Sequence, residues 1–121
     1  MLVLGPDMRA HDTPPDPYAA IRLRFLKVIE GHSFEVAMLA RQAAERPAEQ
    51  YDAMKAIGLI AHRAAGVAAT LGFGHLGEVA ADLDQKISLG LRAHNLRLGD
   101  IDGTIALFQA ALHDAQTQHS S

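Results

Sequence analysis

Histidine is the residue type in this sequence best suited to chemistry, because an imidazole can act as a nucleophile, a proton carrier or a metal ligand. Seven histidines are spread over 121 residues, and the absence of cysteine excludes both a disulfide and a thiolate metal site. No two histidines stand four residues apart and no Glu-x-x-His motif is present, so their spacing does not favour a metal site. The place of each histidine on its helix or loop therefore decides which one can do chemistry.

His62 is the histidine that the sequence predicts to project into solvent from the middle of a long helix. That helix is predicted to run from Pro47 to about Leu71. At about 100° per residue, His62 lies roughly 170° from the centre of the apolar stripe. The stripe consists of Ile57, Ile60, Ala64, Val67 and Leu71.

The predicted neighbours of His62 on this outer face are unusual for a solvated helix. They are Lys55, Gly58, Leu59, Gly66 and Ala69. A glycine inside a helix costs about 1 kcal/mol relative to alanine, and two occur here, one turn before and one turn after the histidine. Small residues leave room for another protein to approach the imidazole, and Leu59 and Ala69 offer it an apolar contact.

The segment from His62 to Gly72, followed by His75-Leu76, resembles the signature of the histidine-containing phosphotransfer (Hpt) domain family. In that family a glycine stands four residues after the histidine, a small residue at six, a glycine at ten and a leucine near fourteen. The matching positions here are Gly66, Ala68, Gly72 and Leu76. The resemblance extends over about residues 17–116, and it implies an antiparallel four-helix bundle with the active histidine on the second helix.

The resemblance also implies a function. His62 would carry a phosphoryl group between the aspartates of response-regulator receiver domains in a two-component phosphorelay, with the neutral imidazole as nucleophile. The implied partners are receiver domains and a hybrid sensor kinase, and the Mg²⁺ would belong to the receiver, so this chain needs no cofactor of its own. No nucleotide-binding glycine loop follows a strand, which favours a phosphoryl carrier over a multiple-turnover kinase.

One position departs from the family pattern. The family's basic residue three positions after the histidine is Ala65 here, although phosphohistidine carries close to two negative charges that a cation would neutralise. Lys55, two turns earlier on the same face, is the better substitute, because Arg63 points roughly 100° aside. Two alternatives therefore stay open: a bundle that docks a receiver or sensor kinase without being phosphorylated, and a structural helical module with an idle histidine.

The remaining elements are also predicted to be helical, which makes the fold an all-α, antiparallel, up-and-down four-helix bundle over residues 17–119 behind a flexible N-terminal tail, residues 1–16. The first helix spans about Pro17 to Arg46. The third runs from near His75 to about Gly90, and the stretch 91–99 fits either helix or loop. The fourth starts at a cap formed by Asp100 or Asp102 and leaves a polar tail from Gln116.

Each of these helices carries an apolar stripe that is predicted to face the core. In the first helix the stripe is Ile21, Phe25, Val28, His32, Val36, Leu39 and Ala43. In the third it is Leu76, Val79, Leu83 and Ile87, and in the fourth it is Ile101, Ile105, Phe108 and Leu112.

The other polar residues receive simpler interpretations. His32 is predicted to be partly buried and hydrogen-bonded, and His75 to cap the third helix or add surface polarity. Gln85 and Lys86 are weaker candidates for the edge of the docking surface, and Lys27 belongs to a solvated face. The remaining histidines are tail or isolated residues: His11, His94, His113 and His119.

Charge and hydropathy exclude several function classes. The net charge of −3 argues against non-specific nucleic-acid binding, which needs a basic surface. No apolar run approaches the roughly 20 residues of a membrane span. The N-terminus lacks the basic-then-apolar pattern of a signal peptide, so the sequence predicts a cytoplasmic protein without nucleic-acid or membrane partners.

Overall fold

The computed structural model describes residues 16–120, with side chains as far as Gln118. Four α-helices and a short 3-10 turn, Pro47–Glu49, make up this part of the chain, which contains no strand. Consecutive helices pack side by side and the last packs on the first, which closes an antiparallel four-helix bundle and confirms the predicted fold class. Of the predicted tail, only Asp16 lies within the described residues. The helices are α1 (Ala19–Glu45), α2 (Gln50–Ala68), α3 (Gly74–Arg92) and α4 (Leu98–Ser120).

All four helices contribute to one core. Strong helix formers such as alanine and leucine fill them, while burial of one face supplies most of the stability of such helices. A fully buried large apolar side chain contributes about 1.5–3 kcal/mol. The largest fully buried side chains include Ile29 of α1, Ile57 of α2, Leu83 of α3 and Phe108 of α4. Among the described residues, no helix is both long and apolar enough to cross a bilayer.

The predicted stripe of α1 is wrong at two positions. Ile21 and Val28 are about half exposed, whereas Ile29, which the stripe omitted, is fully buried. Both exposed residues lie at the edge of the buried face of α1, near its N-terminal half. Val67, a member of the predicted α2 stripe, is likewise 41% exposed.

The turn between α2 and α3 brings these two helices close together. Gly72 has a φ of +92°, a conformation that L side chains rarely adopt, so glycine fits this turn. On either side of it the chain is anchored by buried Leu71 and Phe73, and the Phe73 ring packs 5.3 Å from that of Phe25 on α1. Gly77, one turn into α3, approaches the backbone of Ala69 so closely that a Cβ atom would lie 3.2 Å from its nitrogen.

The ends of the last two helices differ from the prediction. The stretch 91–99, which fitted either helix or loop, belongs partly to both helices: α3 continues to Arg92, and α4 already begins at Leu98. Asp100 therefore lies in the first turn of α4, and neither Asp100 nor Asp102 is its cap. The residues from Gln116 onward belong to α4 rather than to a tail, as far as Ser120. The predicted stripe of α4 is confirmed, because all four of its residues are buried.

Candidate functional site

His62 lies on the outer surface of α2, as predicted. Its side chain is 73% exposed, while Ile57, Ala61 and Ala64 on the same helix are fully buried. The reason is local. The residues of α2 that pack in the core recur at spacings of three and four, and position 62 lies on the opposite side of the helix from them. The imidazole is therefore accessible from solvent.

Asp84 of α3 holds the imidazole from one side. Its Oδ2 lies 2.9 Å from Nδ1 of His62, and the Ser88 hydroxyl donates a hydrogen bond of 3.5 Å to its Oδ1. An ionised carboxylate can only accept hydrogen bonds, so Nδ1 carries the proton. In a neutral imidazole the lone pair then belongs to Nε2, the nitrogen that Asp84 does not engage.

His62 and Asp84 border a shallow groove between α2 and α3. On the N-terminal side of the histidine, the groove wall includes Lys55, Gly58 and Leu59 of α2. The wall contributed by α3 consists of Asp84, Ile87, Ser88 and Leu91. Three of the predicted site residues therefore share one groove with His62, and Leu59 presents an apolar side chain there that is 57% exposed.

The two glycines that flank His62 have different surroundings, which the helical wheel did not distinguish. Gly58 is buried rather than on the outer face, and a Cβ atom there would lie 2.9 Å from Cγ2 of Ile87. Gly66 is exposed, and a Cβ atom there would meet nothing within 4 Å. Gly58 thus serves the close packing of α2 on α3, whereas Gly66 leaves open space beside the imidazole.

Arg63 lies on the other side of α2, facing α1. It borders a separate groove together with Glu35 and Met38 of α1, and Leu59 reaches both grooves. Ala69, the remaining predicted docking residue, directly follows the last residue of α2; it is exposed, and a Cβ atom at Gly77 of α3 would lie 3.2 Å from its nitrogen. The supporting residues thus surround His62, but they divide between its two flanks.

Position 65, where the family cation is missing, is half buried and packs against the core. Lys55 is exposed and lines the groove of His62, so it is the cation that this groove offers to the imidazole. Its ammonium group lies 5.4 Å from the centre of the Tyr51 ring, one turn further toward the N-terminus of α2. A cation–π contact of this kind at an exposed site is worth only about 0.5–1 kcal/mol, so the lysine can leave it at little cost.

The two weaker candidates on α3 do not line the groove. Lys86 points toward α4: its ammonium group donates to the Thr104 hydroxyl at 2.9 Å and pairs with Asp82 at 3.1 Å. Gln85 is exposed on α3 and is absent from the groove wall. The α3 residue that does reach His62 is Asp84, the immediate neighbour of Gln85.

Asp84 was not among the predicted site residues, although the sequence contains a signal for it. In an antiparallel helical hairpin, residues equally far from the turn lie beside each other. Residue 73 is the centre of the Gly72-Phe73-Gly74 break, and positions 62 and 84 are equally distant from it. Reflection of His62 across the turn therefore leads to Asp84.

His32 contrasts with His62. It is half buried as predicted, but the predicted hydrogen bond is absent at Nδ1, a buried atom for which the described residues provide no partner. Burial lowers the pKa of His32, with the positive charge of Arg63 acting in the same direction and the negative charge of Glu35 opposing both. This imidazole is therefore held neutral and inside.

The other described histidines lie apart from the groove. His75 is exposed in the first turn of α3, where no side chain caps the helix. His94 occupies the turn after α3 with a φ of 55°, His113 is exposed on α4, and His11 and the side chain of His119 lie outside the described residues. Over residues 16–118, no group of three histidine, aspartate or glutamate side chains is arranged to hold a metal ion.

Comparison of the chain with protein-family models, with curated proteins and with solved structures finds no match.

Proposed function

We propose that this protein is a phosphoryl carrier in which His62 accepts a phosphoryl group from one receiver aspartate and passes it to another. The observation that carries the proposal is the pair of an exposed mid-helix imidazole and the Asp84 carboxylate, 2.9 Å from its Nδ1. That contact leaves the lone pair on Nε2, where an incoming phosphoryl group needs it. A carrier of this kind would act in the cytoplasm together with its receivers.

The chemical step requires from this chain little more than the position of the His62 imidazole and its tautomer with the proton on Nδ1. The Nε2 lone pair of His62 attacks the phosphorus of the receiver's aspartyl phosphate in line, the P–O bond to the aspartate breaks, and the receiver carboxylate leaves. The proton stays on Nδ1, hydrogen-bonded to Asp84. In the return step a second receiver carboxylate attacks the phosphorus and the N–P bond breaks. Such transfer depends mostly on positioning and charge neutralisation, and the Mg²⁺ involved belongs to the receiver.

The charge of the phosphohistidine is where this chain departs from the family it resembles. Asp84 is negative and position 65 is alanine, so the new phosphoryl group needs a cation from elsewhere. Lys55 borders the same groove and can swing from Tyr51 toward His62, whose Cα lies about 10 Å further along α2. Ala65→Lys should speed the transfer, and an unchanged rate would show that charge at this position does not matter.

The test of the proposal is phosphorylation of the whole chain, with and without a protein donor. Phosphoramidate, a small donor of phosphoryl groups to histidine, and phosphorylated receiver domains are each incubated with the protein. We expect an acid-labile, alkali-stable adduct that His62→Gln abolishes. The matched control is His75→Gln, which removes another exposed histidine and should label like the wild type. Label that survives in His62→Gln would exclude this site.

The docking alternative has its own outcome in the same experiment. Ala65 favours it, because the chain lacks the usual cation beside the phosphoacceptor. If the wild type takes no label from either donor, and receiver or sensor-kinase binding is equally tight in His62→Gln, the protein is a docking bundle. A chain without label and without affinity for either partner would be a structural module.

A further inference from the structure

The outer face of α1 carries a heptad pattern that no other helix of the described chain covers. Seven positions alternate at spacings of three and four, and all seven are exposed: Ala20, Leu23, Lys27, Glu30, Phe34, Ala37 and Arg41. This is the spacing of the a and d positions in a coiled-coil seam. Leu23 and Phe34 are the most exposed large apolar side chains of the described residues, at 66% and 68%. We refer to these seven residues as the α1 seam.

The α1 seam is complementary to itself when it is read in the opposite direction. A two-fold axis between Val28 and Ile29 relates six of the seven residues to one another in pairs, and Arg41, at the end of the seam, has no counterpart within it. In an antiparallel coiled coil, each layer combines an a position of one helix with a d position of the other. The resulting layers are Leu23 with Phe34, Lys27 with Glu30, and Ala20 with Ala37.

We propose that a second copy of this chain docks antiparallel along the α1 seam and forms a symmetric homodimer. Each layer then occurs twice, because both copies use the same surface. The apolar layers of Leu23 and Phe34 lie on either side of the central charged layers, in which Lys27 of each copy meets Glu30 of the other. Charged residues within a seam set register and orientation, so this centre favours the antiparallel arrangement over a parallel one, which would place like charges opposite each other.

Two further observations favour a second copy as the occupant. Lys27 and Glu30 make no ion pair with any other residue in the described part of the chain, so both remain available for pairing across the seam. Gly31 lies beside the centre of the seam, and a Cβ atom there would meet nothing within 4 Å, so packing inside the bundle does not require a glycine. A missing side chain at this point lets a second helix approach closely.

The dimer should be weak and should leave the candidate phosphoacceptor uncovered. The seam is about 32 Å long and uses one helix from each copy, so it buries less than the roughly 1,600 Å² of a standard interface. His62 borders the groove between α2 and α3, whereas the seam is on α1. Dimerisation and phosphorylation therefore involve separate surfaces, and either can fail in experiment without the other.

The test is sedimentation equilibrium of the full chain over a wide range of concentrations, with charge-reversal variants. Lys27→Glu and Glu30→Lys each place like charges across both central layers, so each should raise the dimer dissociation constant by at least about tenfold. The double variant, Lys27→Glu with Glu30→Lys, restores opposite charges and should dimerise like the wild type. Mixing the two single variants should restore association as a heterodimer. Glu78→Lys on α3, an exposed charge reversal outside the seam, is the matched control.

The outcomes separate clearly because all these positions are exposed, and circular dichroism verifies that each variant keeps its helices. Leu23→Ala with Phe34→Ala should also dissociate the dimer. A wild type that remains monomeric at every concentration would overturn the proposal. A dimer that tolerates both single charge reversals would show that the copies meet on another surface.

Discussion

The two flanks of His62 differ in what they offer the imidazole. The flank toward α3 supplies a hydrogen-bonded carboxylate, an exposed lysine and a close helix contact, in the form of Asp84, Lys55 and Gly58. The flank toward α1 supplies Arg63 beside Glu35, neither of which bonds to His62 in the described structure. The site is therefore asymmetric about the helix that carries it.

This difference shows how one bundle can give two histidines different surroundings. On the α3 flank, a carboxylate accepts the Nδ1 proton of an exposed ring, which defines the tautomer and leaves the lone pair on Nε2. On the α1 flank, burial disfavours the charged form of His32 and leaves its Nδ1 without a partner. His75 and His113 are also exposed, but within residues 16–118 only His62 combines exposure with a carboxylate at hydrogen-bond distance.

The largest expected effect is from removal of the carboxylate on the α3 flank. Asp84→Asn keeps the shape, but its amide group can donate to Nδ1 and so favour the tautomer with the proton on Nε2. We expect phosphorylation of His62 to slow by about tenfold or more, by analogy with the loss of a partner that orients a histidine. Asp84→Ala should slow it less, because it removes the orienting group without imposing the wrong tautomer. Glu35→Gln on the α1 flank is the control. If it slowed the phosphorylation of His62 equally, the two flanks would not differ in their effect on the imidazole.

Replacement of each glycine beside His62 by alanine should change the free energy of unfolding in opposite directions. Gly58→Ala introduces a Cβ atom 2.9 Å from Ile87 and should destabilise the fold by about 1–3 kcal/mol, as overpacking does. Gly66→Ala meets open space and should stabilise the helix by about 0.5–1 kcal/mol. Urea denaturation of both variants measures the two free energies of unfolding. Equal effects would mean that α2 and α3 are not in close contact at Gly58.

A smaller effect is expected from the cations on the two flanks. Lys55→Ala should slow transfer from a receiver to His62 by about fivefold, the equivalent of a charge interaction of about 1 kcal/mol at 4 Å in water. Arg63→Ala should slow it less, because Arg63 lies in the groove toward α1. Transfer rates at low and high salt provide a further check, since the Lys55 effect should shrink as salt screens exposed charges. A larger effect for Arg63 would place the phosphoryl group over the α1 flank.

The smallest effect concerns the pH dependence of stability on the α1 flank. Because burial lowers the pKa of folded His32, the unfolded chain takes up this proton first as the pH falls below about 6.5. The contribution of His32 to stability is therefore fully present above that pH and is lost as the pH falls through the folded pKa. His32→Gln should lose less stability over this acid range in denaturation experiments. An unchanged pH profile would contradict the burial of a neutral imidazole at this position.

The sequence predicted the helices better than it predicted their contacts. The four-helix fold, the exposure of His62 and the stripe of α4 could be inferred because the 3.6-residue period is a local property of each helix. The predicted burial of Ile21 and Val28 was wrong because burial at the edge of a stripe depends on how the neighbouring helices pack against it. The start of α4 at Leu98 was missed because aspartate is favourable both as a cap and in the first turn.

Within the site, the sequence by itself determined that α2 turns His62, Lys55 and Leu59 outward. Only the tertiary structure decided what lies beside that histidine: Asp84 against its Nδ1, Gly58 buried under Ile87, and Lys86 turned away toward α4. The physical reason is that a side chain's direction around its own helix follows from backbone geometry, whereas the rotation and axial register of two helices follow from how both surfaces pack. The α1 seam extends this distinction to a second chain: its heptad pattern is present in the sequence, but its exposure was decided by the bundle.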